Sequence, residues 1–251
     1  MPTRSYLPLI LAALFCGSCT FFRSASVPMP MVVHPATSDH ANGLLVMLPG
    51  MGDGPSYYES HGLVEMARTA NPNFDVICAD AHFGYYKQTS IVERLHVDVI
   101  QPIAGRYEHI WLVGISLGGL GCVAYADEHP ELVDGVILMA PYMGCEQAID
   151  EVRAAGGVRT WTRPTDTEAT TGSHRRFRDV WTWYHEVVTQ PGDSPKLLLG
   201  YGEQDRFADT NALVATELPA AQVLTRPGGH KWTVWKRLFD ELSMRALHDL
   251  Q

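Results

Sequence analysis

The sequence predicts an α/β fold, with a mostly parallel central sheet and helices on both faces. Three observations carry that reading. Short, continuous apolar runs at 43–48, 74–79, 109–115, 133–140 and 196–200 have the length and composition of strands buried on both faces. Segments with helical spacing of apolar residues separate several of these runs, and that βαβ alternation gives parallel pairing through crossovers. A chain of 251 residues, 46% hydrophobic and 19% charged, suffices for one large domain with a sizeable core.

Taken in order, residues 1–18 read as an export signal. Arg4 supplies a positive start, and the apolar stretch 7–15 is too short to span a bilayer as a settled helix. Cys16-Gly-Ser-Cys19 resembles a bacterial lipoprotein processing site with Cys19 as the lipidated residue; simple cleavage near Ser24-Ala25-Ser26 is the alternative. The expected location is therefore the periplasm or a membrane anchor in the cell envelope. Residues 19–42, rich in Pro, Ser and Ala, form a tether that runs into a weak strand near 31–34.

The domain then occupies 43–251. Strand 43–48 ends in Pro49-Gly-Met-Gly-Asp-Gly54. A helix is expected over 57–70, where Leu63, Met66 and Ala67 share a face and Pro72 lies just beyond. Further helices are expected at 90–103, 120–129 (closed by Pro130) and near 211–218, with a strand at 222–225 before an amphipathic helix over 230–248. The irregular part reads as an insertion, a cap over the site at about 143–195. It holds Gly156-Gly157, a Thr-rich loop expected to be mobile, Arg175-Arg-Phe-Arg178 and Trp181-Thr-Trp-Tyr184. The arginines read as a solvated helix face, with contact to an anionic substrate group as the other reading.

Composition excludes several classes. A net charge of −9 is wrong for nucleic acid, which needs a basic face. His185-Glu-Val-Val-Thr189 begins like a zinc motif but has Thr where the second histidine must stand, and the sequence carries no other metal-ligand spacing. Cys78 and Cys122 read as buried small hydrophobes, and with Cys145 they make an odd set rather than a disulfide framework.

The chemistry centres on Gly114-Ile-Ser-Leu-Gly118, a G-x-S-x-G pentapeptide set between the strand 109–115 and the helix that follows. Such a turn holds its serine in a strained conformation, and the glycines two residues either side avoid clashes with strand and helix. It also puts the Ser116 hydroxyl at a helix N-terminus, where free amides favour developing negative charge. A hydroxyl nucleophile needs a base, and the base an orienting acid. In a parallel sheet these belong just past strand ends, and downstream loops supply both: Asp205 after the run 197–199, and His230 behind Gly228-Gly229. Asp209, Glu203 or Glu146 are other possible acids, and His174 and His185 other possible bases.

With Gly200-Tyr-Gly-Glu-Gln-Asp205 and Gly229-His230 beside the pentapeptide, residues 43–248 resemble the serine-hydrolase members (esterases and lipases) of the α/β-hydrolase fold. The resemblance implies an oxyanion hole from the backbone amides of Leu117 and Met51, the latter directly after Gly50. Pro49 replaces a common histidine without disturbing a backbone donor. A dinucleotide loop at Gly50-Met-Gly-Asp-Gly54 fails because Pro55 occupies the last glycine's place.

The expected reaction is hydrolysis of carboxylic esters, acyl or lipid-like, through an acyl-enzyme on Ser116, with no cofactor and no metal. The alternatives are amide or thioester cleavage on the same triad, or a non-catalytic envelope binding protein on the same scaffold. Tyr57, Tyr142, Met143, Trp181 and Trp232 are the candidate pocket residues, because aromatic walls suit an apolar acyl or aryl group.

Overall fold

The protein is described by a computed structural model covering residues 23–192 and 194–250. The expected export signal and Cys19 lie outside the described residues. Seven strands form one sheet: β1 (Met31–His34), β2 (Gly43–Leu48), β3 (Phe74–Ala79), β4 (His109–Ile115), β5 (Gly135–Met139), β6 (Lys196–Gly202) and β7 (Val223–Arg226). Their spatial order is β1-β3-β2-β4-β5-β6-β7, parallel throughout except for β1, which pairs antiparallel with β3 at the edge. Strands β2 to β6 closely match the five runs read from sequence because a strand buried on both faces advertises itself as unbroken hydrophobicity.

Side chains alternate between two cores. Leu44, Val46 and Leu48 of β2 enter the first, and Leu45 and Met47 enter the second. The first core is covered by α3 (Phe83–Lys87), α4 (Ile91–Arg94), α5 (Leu117–Glu128), α6 (Glu146–Ala154), α7 (Gly172–Thr189) and α8 (Ala208–Ala215). The second is covered by α1 (Ser56–Ser60), α2 (Leu63–Ala70) and α9 (Trp232–Leu247), with α2 packed on α9. Helices therefore flank both faces, as the alternation predicts.

Three expectations need correction. The single helix at 57–70 is two, because Gly62 adopts φ 81° and a left-handed residue cannot continue a right-handed helix. The helix at 90–103 is α4 continued by wider π-type turns over Leu95–Ile100. Most consequentially, much of the segment after β5, expected as a cap, is built into the core. Its helix α7 packs on α5 and α6 and sends Val180, Trp181, Trp183, Tyr184, Val187 and Val188 into the first core. It is the crossover that a parallel β5–β6 pair requires.

The loop between α6 and α7 is tied down by ions rather than free. Arg178, only 7% exposed, bonds Glu151 in a fork and also Asp166, while Arg163 bridges Asp166 and Asp179. Arg178 is thus a buried clamp, contrary to the solvated face expected of its cluster.

The two ends of the described chain are held at opposite ends of β3. Arg23 pairs with the buried carboxylate of Asp80, just past the carboxyl end of β3. Asn71, directly before the turn into β3, donates to the Leu247 carbonyl (2.8 Å) and to that of Leu250 beyond the end of α9. Among the described residues no helix is long and apolar enough to cross a membrane.

Candidate active site

Ser116 stands between β4 and α5 at φ 53°, ψ −114°, a conformation that costs a non-glycine residue about 1–3 kcal/mol and needs support from its surroundings. That support is visible. The Ser116 amide donates to the Met139 carbonyl of β5 (3.0 Å), and its carbonyl accepts from Gly119 (3.0 Å) and Tyr142 (2.9 Å). A Cβ on Gly118 would lie 2.0 Å from the Leu48 carbonyl oxygen, and one on Gly114 would lie 2.6 Å from Gly118 and Gly119 backbone. The elbow is consequently closed by glycines on both sides, packed directly against the end of β2. Leu117, next in sequence, heads α5, so its amide is among the first-turn donors left without a helical partner.

The turn after β2 abuts this elbow. Gly50 sits where a Cβ would be 3.7 Å from the Ile115 carbonyl oxygen. The Asp53 amide closes the turn onto the Gly50 carbonyl (3.2 Å), with Gly52 at φ 92°, so Met51 is held at the turn's second position with its side chain 47% exposed. Leu117 and Met51 therefore occupy neighbouring strand ends, β4 and β2.

Asp205 follows β6 and His230 follows β7. His230 Nδ1 lies 2.8 Å from Asp205 Oδ2 and 3.0 Å from Oδ1, and the Asp205 side chain is fully buried. The Phe207 amide donates to Asp205 Oδ1 (2.9 Å), fixing the carboxylate from the other side. The two loops are laced together: Glu203 and Gln204 amides donate to the carbonyls of Arg226 and Gly228, and a Cβ on Gly202 would meet the Gly228 carbonyl at 2.2 Å. Gly228, at φ 125°, permits the reverse of direction that brings His230 back over the sheet edge. With Nδ1 engaged by the carboxylate, Nε2 is the ring nitrogen left for proton transfer. Phe207 (5.2 Å) and Trp235 (4.8 Å) both meet the imidazole edge-on and hold its plane.

Glu146, His174 and His185 have partners elsewhere, and His230 Nδ1 is taken by Asp205 rather than by Glu203 or Asp209. Glu146 bonds Arg153, Asp209 lies in the first turn of α8, His174 faces Glu151 (3.1 Å), and the His185 ring is 2.9 Å from the Val158 carbonyl. Of the pocket residues, Tyr57 and Trp232 lie on one flank of the site and Tyr142 on the other, where it meets Phe207 and, edge-on, Phe177 at the start of α7. Met143 and Trp181 are instead core side chains, 2% and 0% exposed. Sequence reasoning overlooked Phe207, Trp235, His61 and Asp53. Phe207 and Trp235 were marked by standing two and five residues from the acid and the base.

Among the described residues no cluster of His, Cys, Asp or Glu could hold a metal. A recess of about 460 Å³ lined by Arg159, Lys196 and Glu217 lies at the start of β6, the opposite edge from Ser116.

A family model described as the alpha/beta hydrolase fold matches residues 43–176, more than half of the chain and inclusive of the elbow. The chain belongs to that family. Solved structures agree on the architecture of this alpha/beta hydrolase. Est1E from Butyrivibrio proteoclasticus is similar at 15% identity over 87% of this chain and 92% of its own, with a TM-score of 0.58. An S-formylglutathione hydrolase from Staphylococcus aureus matches at 14% identity over 88% and 96%, with a TM-score of 0.56. A monoacylglycerol lipase from Paleococcus ferrophilus matches at 16% identity over 86% and 98%, with a TM-score of 0.50. At such identities the likeness is one of fold. No curated protein sequence matches the chain.

Proposed function

We propose that this alpha/beta hydrolase cleaves carboxylic esters through a Ser116–His230–Asp205 triad. The observation that carries the reading is the pairing of a strained Ser116 elbow with His230 held by a buried Asp205, on strands that end at one sheet edge. His230 takes the Ser116 proton as the hydroxyl oxygen attacks the carbonyl carbon. The Leu117 and Met51 amides receive the oxyanion, a pair of donors worth about 3 kcal/mol each on the barrier. Collapse of the intermediate breaks the bond to the alcohol, which leaves with the proton carried by His230. Water, deprotonated by the same imidazole, then releases the acid from Ser116. Asp205 keeps the imidazole in the productive tautomer and stabilises its cation. A carboxylic ester as substrate accords with the lipase among the structural relatives and with the aromatic flanks of the site.

The test is hydrolysis of p-nitrophenyl esters from acetate to palmitate by the wild type and Ser116→Ala, beside fluorophosphonate labelling. Turnover and labelling in the wild type, both lost in Ser116→Ala, are expected. Turnover that survives the substitution would remove Ser116 from the mechanism.

A further inference from the structure

We propose that Asp53 is a specificity-determining residue, which selects ester substrates bearing a cationic group beside the scissile bond. The inference deepens the hydrolase reading and rests on it.

Asp53 closes the turn that presents the Met51 amide, and its carboxylate reaches back over the turn: Oδ2 would lie 3.5 Å from a Cβ on Gly50. The carboxylate is therefore one short turn from the proposed oxyanion donors. It serves neither of the structural purposes that usually explain such a residue. Helix α1 begins after Pro55 with no side-chain cap, and among the described residues no arginine or lysine forms an ion pair with Asp53. Its electrostatic neighbours are the Trp232 side chain and the imidazoles of His61 and His230. Burial raises its carboxyl from the ordinary value, outweighing the lowering by the nearby indole and imidazoles, so a cation beside it would regain charge stabilisation that burial removes.

Space and aromatic faces adjoin this carboxylate. Side chains built at Gly52 or Gly54 would meet nothing within 4 Å, so the volume over the turn is open. Trp232 stacks on His61 at 4.1 Å and lies 6.2 Å from the ring of Tyr57, which is 42% exposed. A carboxylate near an indole and a second, half-exposed aromatic ring, with open space over its turn, is the composition that attracts an ammonium group through charge and ring quadrupole together. A substrate carboxylate at the same place would meet like charge.

The experiment compares kcat/KM for butyrylcholine with that for its uncharged carbon isostere, 3,3-dimethylbutyl butyrate, in the wild type, Asp53→Asn and Asp53→Glu. The wild type should favour the cation by about tenfold, Asp53→Asn should lower that ratio about fivefold, and Asp53→Glu should restore most of it. A wild-type ratio near one, or the same ratio in Asp53→Asn, would overturn the proposal provided Ser116 is labelled by fluorophosphonate. If Ser116 is not labelled, the hydrolase reading fails instead. Quenching of tryptophan fluorescence by tetramethylammonium then decides the cation site directly: present in the wild type and lost in Asp53→Asn supports it, and absence in the wild type ends it. Should Asp53→Asn fail to fold, the same ratio in Trp232→Leu replaces it, with a loss again expected.

Discussion

At the scale of single residues, the site depends on a serine that the backbone holds where serine does not belong. The strain at Ser116 is carried by contacts that only glycine allows at 114 and 118, so the pentapeptide was legible from sequence for a steric reason. Asp205 and His230 were legible because each sits in a glycine-containing loop after a strand. Asp53 was not, since nothing about an aspartate in a Gly-rich turn tells which way its carboxylate folds. Asp205→Asn should lower kcat on the order of 10⁴-fold while thermal stability changes little, because an amide oxygen can still accept from Phe207 but no longer fixes the imidazole tautomer. A loss under tenfold, measured by steady-state hydrolysis of the best ester, would assign the orienting acid elsewhere.

At the scale of elements, strands were easier to read than helices. A doubly buried strand is uniformly apolar, whereas a helix declares itself only through spacing, and one left-handed residue such as Gly62 divides it without disturbing that spacing. Helix α7 is the instructive error. Its aromatic run follows a polar, arginine-rich stretch and resembles a lid, yet 180, 181, 184, 187 and 188 repeat at the interval of a core-facing stripe. If that stripe is core, Trp181→Ala should destabilise the fold by about 3–5 kcal/mol and leave the acyl-chain profile of the folded enzyme as it was. Urea unfolding read beside the ester series separates this from a pocket wall, for which the profile would shift and stability would hardly move.

At the scale of the whole molecule, the buried ionisable groups set its tolerance of alkali. Burial holds the Tyr58 and Tyr86 phenols well above their usual range and pushes the Cys78 thiol up to about 12, while burial and the Asp75 carboxylate push Tyr107 up to about 12. In the unfolded chain the same thiols and phenols titrate near 9.0 and 10.0. Between those values and 12 the native state binds more protons than the unfolded state, so stability must fall as pH rises. Urea midpoints should therefore drop steadily from pH 9 to 11, and a flat profile would mean that these groups are reached by water. The burial of Cys78 was legible in its apolar run, but the sequence gives only the count of tyrosines and not the depth at which each lies.

The ion pair of Arg23 with Asp80 has a practical sequel. It brings the chain into the fold at the rim where β4 delivers Ser116, whereas α9 delivers the last residues to the far rim. On the proposed function, a surface, tag or fusion partner joined upstream of Arg23 would stand on the same rim as the substrate's approach to Ser116. One joined after Leu250 would leave it open.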